Sequence, residues 1–88
     1  MYYVYVIQSL KTNTYYIGCT EDLSKRLREH NRNRTKSTKN KGPWYLVYKE
    51  EIIDKHNALL RERYIKALKR GNAFKTLITK SSPSSSLA

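Results

Sequence analysis

The sequence is poor in almost everything that staples or anchors a chain. It holds one cysteine, Cys19, which excludes an internal disulfide and any zinc centre of the cysteine-cluster type and suits a reducing compartment. Its apolar stretches run only a few residues and no charged-then-apolar leader opens it. Neither a membrane-spanning helix nor a secretory signal is therefore expected, and a cytoplasmic location follows. Acids are scarce as well: 7 Asp+Glu stand against 18 Lys+Arg, a formal net charge of +11. Such a surplus on so small a body predicts a polyanionic partner. A membrane surface would want a basic amphipathic helix with exposed Trp, Phe and Leu, and the single Trp44 and single Phe74 lie in other contexts. Nucleic acid is the expected partner and a membrane is not.

A chain of 88 residues has room for one domain with one modest core. Residues 81–88 contain five serines and a proline with almost nothing to bury, so they are expected to form a disordered tail, leaving residues 1–80 as the folded unit.

What is present is ordered by its periodicity. Residues 2–8 are β-branched and aromatic without a break, which predicts a strand. Tyr3, Tyr5 and Ile7 share one face and Tyr2, Val4 and Val6 the other, so both faces should be covered. Residues 14–18 read as a second strand hairpinned to the first, with Gly18 at its exit. Thr20 is the expected N-cap of a helix to about residue 31, with Glu21 and Asp22 in its first turn. At about 100° per residue, Leu23, Leu27 and His30 fall on one side, Arg26 flanks it, and Lys25, Arg28 and Glu29 face away. Residues 32–43 are polar and carry five Lys+Arg without an acid. Arg32, Arg34, Lys36, Lys39 and Lys41 are therefore expected to touch phosphates on a loop. Trp44 and Tyr45 border that loop, placed either to stack on a base or to pack in the core. Residues 44–50 form a third strand, and Asp54 caps a second helix to about residue 70. Ala58, Leu60, Tyr64, Ile65 and Leu68 are its apolar stripe, and Gly71 is its stop. Residues 72–79 complete the chain as a short helix packing Phe74, Leu77 and Ile78. The order β-β-α-β-α, with a further short α, predicts an α+β domain: a small three-stranded antiparallel or mixed sheet flanked by helices.

Phosphodiester hydrolysis needs an activated water, cations for the developing charge and help for the leaving oxygen. Arg26 and the basic loop supply cations; His30 and the strand tyrosines can carry protons. A hard metal ion would need carboxylate oxygen. Glu21, Asp22 and Asp54 are accounted for at helix starts, Glu29 faces away, and Glu50 and Glu51 end a strand. Glu62 remains, at the border of the second helix's stripe. The same angular count puts Arg61 in that stripe, and Glu62 also stands i, i+4 from Lys66, as a surface pair would.

Tyr3-Val4-Tyr5, then ten residues, then Tyr16-Ile17-Gly18 resembles the motif pair that names the GIY-YIG nucleases. The second motif matches letter for letter, while Tyr3 stands where the first has its glycine. Arg26 comes eight residues after Gly18 and His30 four later, similar to the family's next motif, and Ala58-Leu59-Leu60-Arg61-Glu62 followed by Ile65-Lys66 is similar to its glutamate helix. The resemblance is to the short stand-alone bacterial, YhbQ-like group and covers residues 2–79. It implies a metal-dependent endonuclease. Glu62 would be the sole protein ligand of one Mg²⁺ or Mn²⁺, Arg26 would hold the phosphate, and Tyr5, Tyr16 and His30 would sit at the attacking side. One of the two tyrosines would be the general base, which of them staying open. Asn72 would be an accessory asparagine. DNA is favoured over RNA, with low sequence specificity or selection of structure, as in repair and recombination. A protein partner could supply target choice. The rival reading is a non-catalytic nucleic-acid-binding module on the same fold.

Overall fold

The structure, a computed structural model, describes residues 1–32, 39–69 and 71–80, and the side chains of all of these but 72, 79 and 80. The expected positions Arg34 and Lys36, the side chain of Asn72 and the serine-rich residues 81–88 lie outside it. Three strands and three helices follow in the order β1 (Tyr2–Ser9), β2 (Tyr15–Thr20), α1 (Leu23–Asn31), β3 (Trp44–Ile52), α2 (Lys55–Leu68) and α3 (Asn72–Lys80). The strands form one wholly antiparallel sheet in the order β2-β1-β3. The fold is thus the α+β layering expected from the sequence.

The two apolar faces of β1 explain the layers. Val4 and Val6 join Ile17 and Tyr48 beneath Ala58 and Ile65 of α2 and Phe74 and Ile78 of α3. Tyr5 and Ile7 look the other way, onto Trp44 and the α1 residues Leu23 and Leu27. Trp44 and Tyr48 are an even number of residues apart, yet they serve opposite faces. The pairing steps from Tyr48↔Val6 to Leu46↔Ile7, so a bulge at Val47 reverses the facing of the strand. Trp44 is consequently core, whereas Tyr45 is exposed and donates its hydroxyl to Gln8 Oε1 at 2.6 Å.

Several boundaries and faces differ from expectation. β2 runs on to Thr20, which makes Gly18 a mid-strand residue rather than an exit. The N-cap of α1 is Asp22, whose side chain accepts from the Lys25 N–H; Glu21 and Asp22 precede the helix rather than filling its first turn. Thr20 accepts from the Asp22 N–H instead, so its hydroxyl is spent on the turn before the helix. On α2 the core stripe is narrower than expected: Ala58 and Ile65 are buried, but Leu60 and Tyr64 are 48% and 54% exposed. Their place is taken by Arg61, which reaches across to β3 and donates from Nε and Nη2 to the two Glu50 oxygens, 2.7 Å each. Asp54 caps α2 as expected.

Candidate functional site

The site begins with a missing side chain. Gly18 lies directly opposite Tyr5 in the β1–β2 pairing. A Cβ there would stand 2.5 Å from the Tyr5 hydroxyl oxygen and 2.6 Å from Cζ. Only glycine leaves space for the phenol to lie across the edge strand. Tyr5 then points to α1, where its hydroxyl is 2.8 Å from His30 Nε2. His30 is enclosed at the end of α1, with its ring centroid 5.0 Å from that of Tyr16 and 5.9 Å from that of Tyr5. The motif tyrosines and the helix histidine are therefore one cluster. His30 itself does not line the cleft in front of them, so it can act there only through a tyrosine.

That cleft, about 290 Å³, runs along β2 between α1 and α2. Tyr5, Tyr16 and Gly18 form its floor, Arg26 reaches it from α1, and Lys55 and Glu62 reach it from α2. Arg26 is held at 3.0 Å from Glu29 Oε1. Glu29, expected to face away, instead bends round the helix to this partner. Glu62 is only 17% exposed and stands 2.8 Å from Lys66 Nζ, so the inward carboxylate and the i, i+4 pair are both present.

Electrostatics sort these groups. Burial raises the Tyr5 phenol to about 12, a rise that a hydrogen bond from Arg26 opposes. Burial lowers His30 to about 4, and the Arg26 charge pushes the same way. At neutral pH both are uncharged, and they share one hydrogen bond in which the phenol O–H donates when the imidazole carries its proton on Nδ1. Beyond the cluster, burial pushes Glu50 up, but Arg61 and the Tyr48 hydroxyl outweigh it and hold the carboxyl below its usual range.

The His30 shift has a consequence for stability. Its folded pKa lies below the unfolded one, so the unfolded chain binds more protons between about pH 6.5 and about 4. Stability is complete above that window and falls with acid, by roughly 3 kcal/mol at its foot. Chemical denaturation across this range is expected to show the loss in wild type, and the difference curve against His30→Gln should titrate in the same window. A difference curve flat with pH would show that His30 is not buried uncharged.

A model of the GIY-YIG catalytic domain matches residues 1–80. The chain belongs to the GIY-YIG family. It is similar to a UPF0213 protein of Clostridium perfringens, 39% identical over 82 residues that cover 92% of this chain and 87% of that one. It is similar also to the UPF0213 protein YazA of Bacillus subtilis, 37% identical over 70 residues, with 78% and 70% covered. The solution NMR structure of a UPF0213 protein from Bacillus halodurans superposes with a TM-score of 0.57 at 29% identity, covering 94% of this chain and 89% of that chain. A GIY-YIG catalytic domain suggests nuclease activity on nucleic acid.

GIY-YIG nucleases generally use a divalent metal ion. Among the described residues no group of three or more His, Cys, Asp or Glu could cage one. The donor set suits a hard ion that keeps most of its waters and takes one carboxylate plus substrate phosphate oxygens, as Mg²⁺ commonly does. Two further charged residues, Glu21 and Lys55, line the cleft without being expected there. Glu21 looked like a first-turn acid, and only the extension of β2 to Thr20 carries it to the cleft mouth. Of the expected basic-loop contacts, Arg32, Lys39 and Lys41 are exposed, and Lys41 also accepts a hydrogen bond from the Ser9 hydroxyl at its carbonyl.

Proposed function

We propose that this GIY-YIG protein is a metal-dependent endonuclease that hydrolyses phosphodiester bonds in DNA, selecting by structure or with little sequence preference. The observation that carries the reading is the convergence of Tyr5, Tyr16, Arg26 and Glu62 on one cleft, with His30 hydrogen-bonded behind Tyr5. A catalytically inert binding module would need the basic surface but not this constellation.

In this reading Arg26 exchanges Glu29 for the scissile phosphate and offsets charge as the transition state forms. Glu62 would hold Mg²⁺ or Mn²⁺, which supplies charge neutralisation at the phosphate and at the leaving oxygen. Tyr5 is the general base of this scheme: as water attacks, the water proton passes to the Tyr5 oxygen while the Tyr5 proton passes to His30 Nε2. Arg26 is one of the causes that keep His30 poorly basic, so a phosphate on Arg26 raises the basicity of the imidazole when the substrate is in place. Tyr16, tilted against both rings at centroid distances of 6.5 Å from Tyr5 and 5.0 Å from His30, orients the water.

Cleavage of end-labelled single-stranded, duplex, nicked, flap and junction DNA, with one structured RNA, tests the reading in Mg²⁺, Mn²⁺ and EDTA. Cutting that requires metal is expected, whereas binding without cutting on every substrate would leave the binding module in its place. Tyr5→Phe separates the tyrosines. It keeps the ring and is expected to slow cleavage by about 10²–10⁴-fold. A larger loss in Tyr16→Phe than in Tyr5→Phe would move the base to Tyr16.

A further inference from the structure

The outer face of α1 breaks local rules without an ion pair to compensate it among the described residues. Lys25, Arg28 and Arg32 lie within about 60° of one another around the helix axis at about 100° per residue. All three are exposed, around a shallow hollow of about 280 Å³ to which Glu29 contributes the remaining wall. Like charges three and four residues apart on a helix repel. Arg28 and Arg32 at least suit the negative C-terminal end of the dipole. Lys25 stands in the first turn, where the dipole disfavours a cation. Among the described residues none of the three carries an ion pair, and the acid beside them, Glu29, is turned to Arg26. A polyanion from outside is the compensation the face lacks. The apolar side of α1, Leu23 and Leu27, is turned inward, which leaves this face nothing to insert into a bilayer.

We propose that Lys25, Arg28 and Arg32 form a phosphate-binding ridge for the nucleic-acid strand flanking the phosphodiester held at Arg26. The proposal rests on the nuclease reading only for the place of that phosphodiester. From Lys25 to Arg32, the C-cap of α1, seven steps of helical rise give the ridge a length of about 10 Å, roughly three phosphates along one strand of B-form DNA. Its contacts are to backbone and carry no sequence preference of their own. Such a ridge would orient a strand into the cleft, with Glu29 marking the boundary between the two.

Binding of a short fluorescent duplex and of its single strand, measured in EDTA across a salt series, tests the ridge. The proteins are wild type, the triple variant Lys25→Ala, Arg28→Ala, Arg32→Ala, and a charge-matched triple on α2 and α3, Arg63→Ala, Lys69→Ala, Lys75→Ala. The ridge triple is expected to flatten the slope of log affinity against log salt by about 2 to 3, and the matched triple by less than about 1. Alanine favours helix at Lys25 and Arg28, and Arg32 is the C-cap, outside the helix proper. The single ridge variants, each expected to flatten the slope by about 0.9 on duplex, give the same reading should the triple lose its helix. Equal slopes in the two triples, or an unchanged slope in the ridge variants, would overturn the proposal. So would tighter wild-type binding to anionic phospholipid vesicles than to either nucleic acid. Cleavage has no part in this readout. A protein that binds through the ridge and cuts nothing keeps the ridge and loses the nuclease reading, while one that cuts with an unaltered slope in the ridge variants does the reverse.

Discussion

Glu62→Ala is expected to slow metal-dependent cleavage by about 10³-fold or more, because a bound ion supplies several kcal/mol of charge stabilisation and each 1.36 kcal/mol is tenfold in rate. Among the described residues carboxylates are scarce at the cleft, where only Glu62 and Glu21 stand, and no group of three or more ligating side chains gathers there. Removing the inward carboxylate therefore leaves only Glu21, at the cleft mouth, beside water and phosphate. Binding in EDTA should survive or tighten, since the substitution takes a negative charge out of a cleft that has to receive phosphate. Folding should survive too: the Glu62–Lys66 pair is half open to solvent on the lysine side, and such pairs contribute under about 1 kcal/mol. Lost cleavage with intact binding and an unchanged melting point is the expected triad. A variant that cuts like wild type would remove Glu62 from the metal's coordination.

Gly18→Ala should be nearly as damaging through geometry alone. The added methyl would sit 2.5 Å from the Tyr5 oxygen and 3.0 Å from Cε1. That phenol is enclosed and cannot swing clear, so either the ring tilts and leaves His30 or β2 is pushed off β1. Overpacking of this kind costs about 1–3 kcal/mol. A catalytic group displaced by about 1 Å costs about 10²-fold in rate. Gly71→Ala is the control, since its added carbon would meet nothing nearer than 4.0 Å, and it should be close to neutral. Combining Gly18→Ala with Tyr5→Phe removes the nearest clashing atom. The stability losses should then fall short of additive by at least about 0.5 kcal/mol. Additive losses would mean that the clash is set by the ring carbons, Cζ at 2.6 Å above all, rather than by the hydroxyl.

Much of this architecture could be read in advance because β1 advertises itself: an unbroken run of Tyr, Val and Ile needs cover on both sides and receives it. The start of α1 was less legible, since Thr20 and Asp22 are both good capping residues and only the backbone decides which of them caps. Leu60 and Tyr64 fell in the stripe by angle, yet a sheet of three strands is too narrow to cover so wide a face. Arg61 keeps its place in the stripe because Glu50 stands across from it on β3, a partner far off in sequence. The bulge at Val47, which turns Trp44 inward, left no sign in a strand whose residues are apolar on both parities. At the site, the motif residues Tyr5, Tyr16, Arg26 and Glu62 meet at one cleft, but their spacing carried no sign that Glu29 would hold Arg26 or that His30 would be sealed behind Tyr5. Those facts depend on side-chain reach across helices and strands, which a periodicity cannot encode.

The sheet order β2-β1-β3 divides the site into parts of unequal permanence. Tyr5 belongs to the middle strand, bonded on both flanks, and such strands open only with the whole molecule. Glu62 belongs to a helix laid on the sheet, tied at its middle by the Arg61–Glu50 clasp. Ala58 and Ile65 bind α2 to Val4 and Val6 of β1, yet should α2 open before β1, the wall that carries Glu62 would be lost ahead of the wall that carries Tyr5. Heat inactivation of such an enzyme would precede its melting, and amide exchange along α2 would keep time with the activity rather than with the fold.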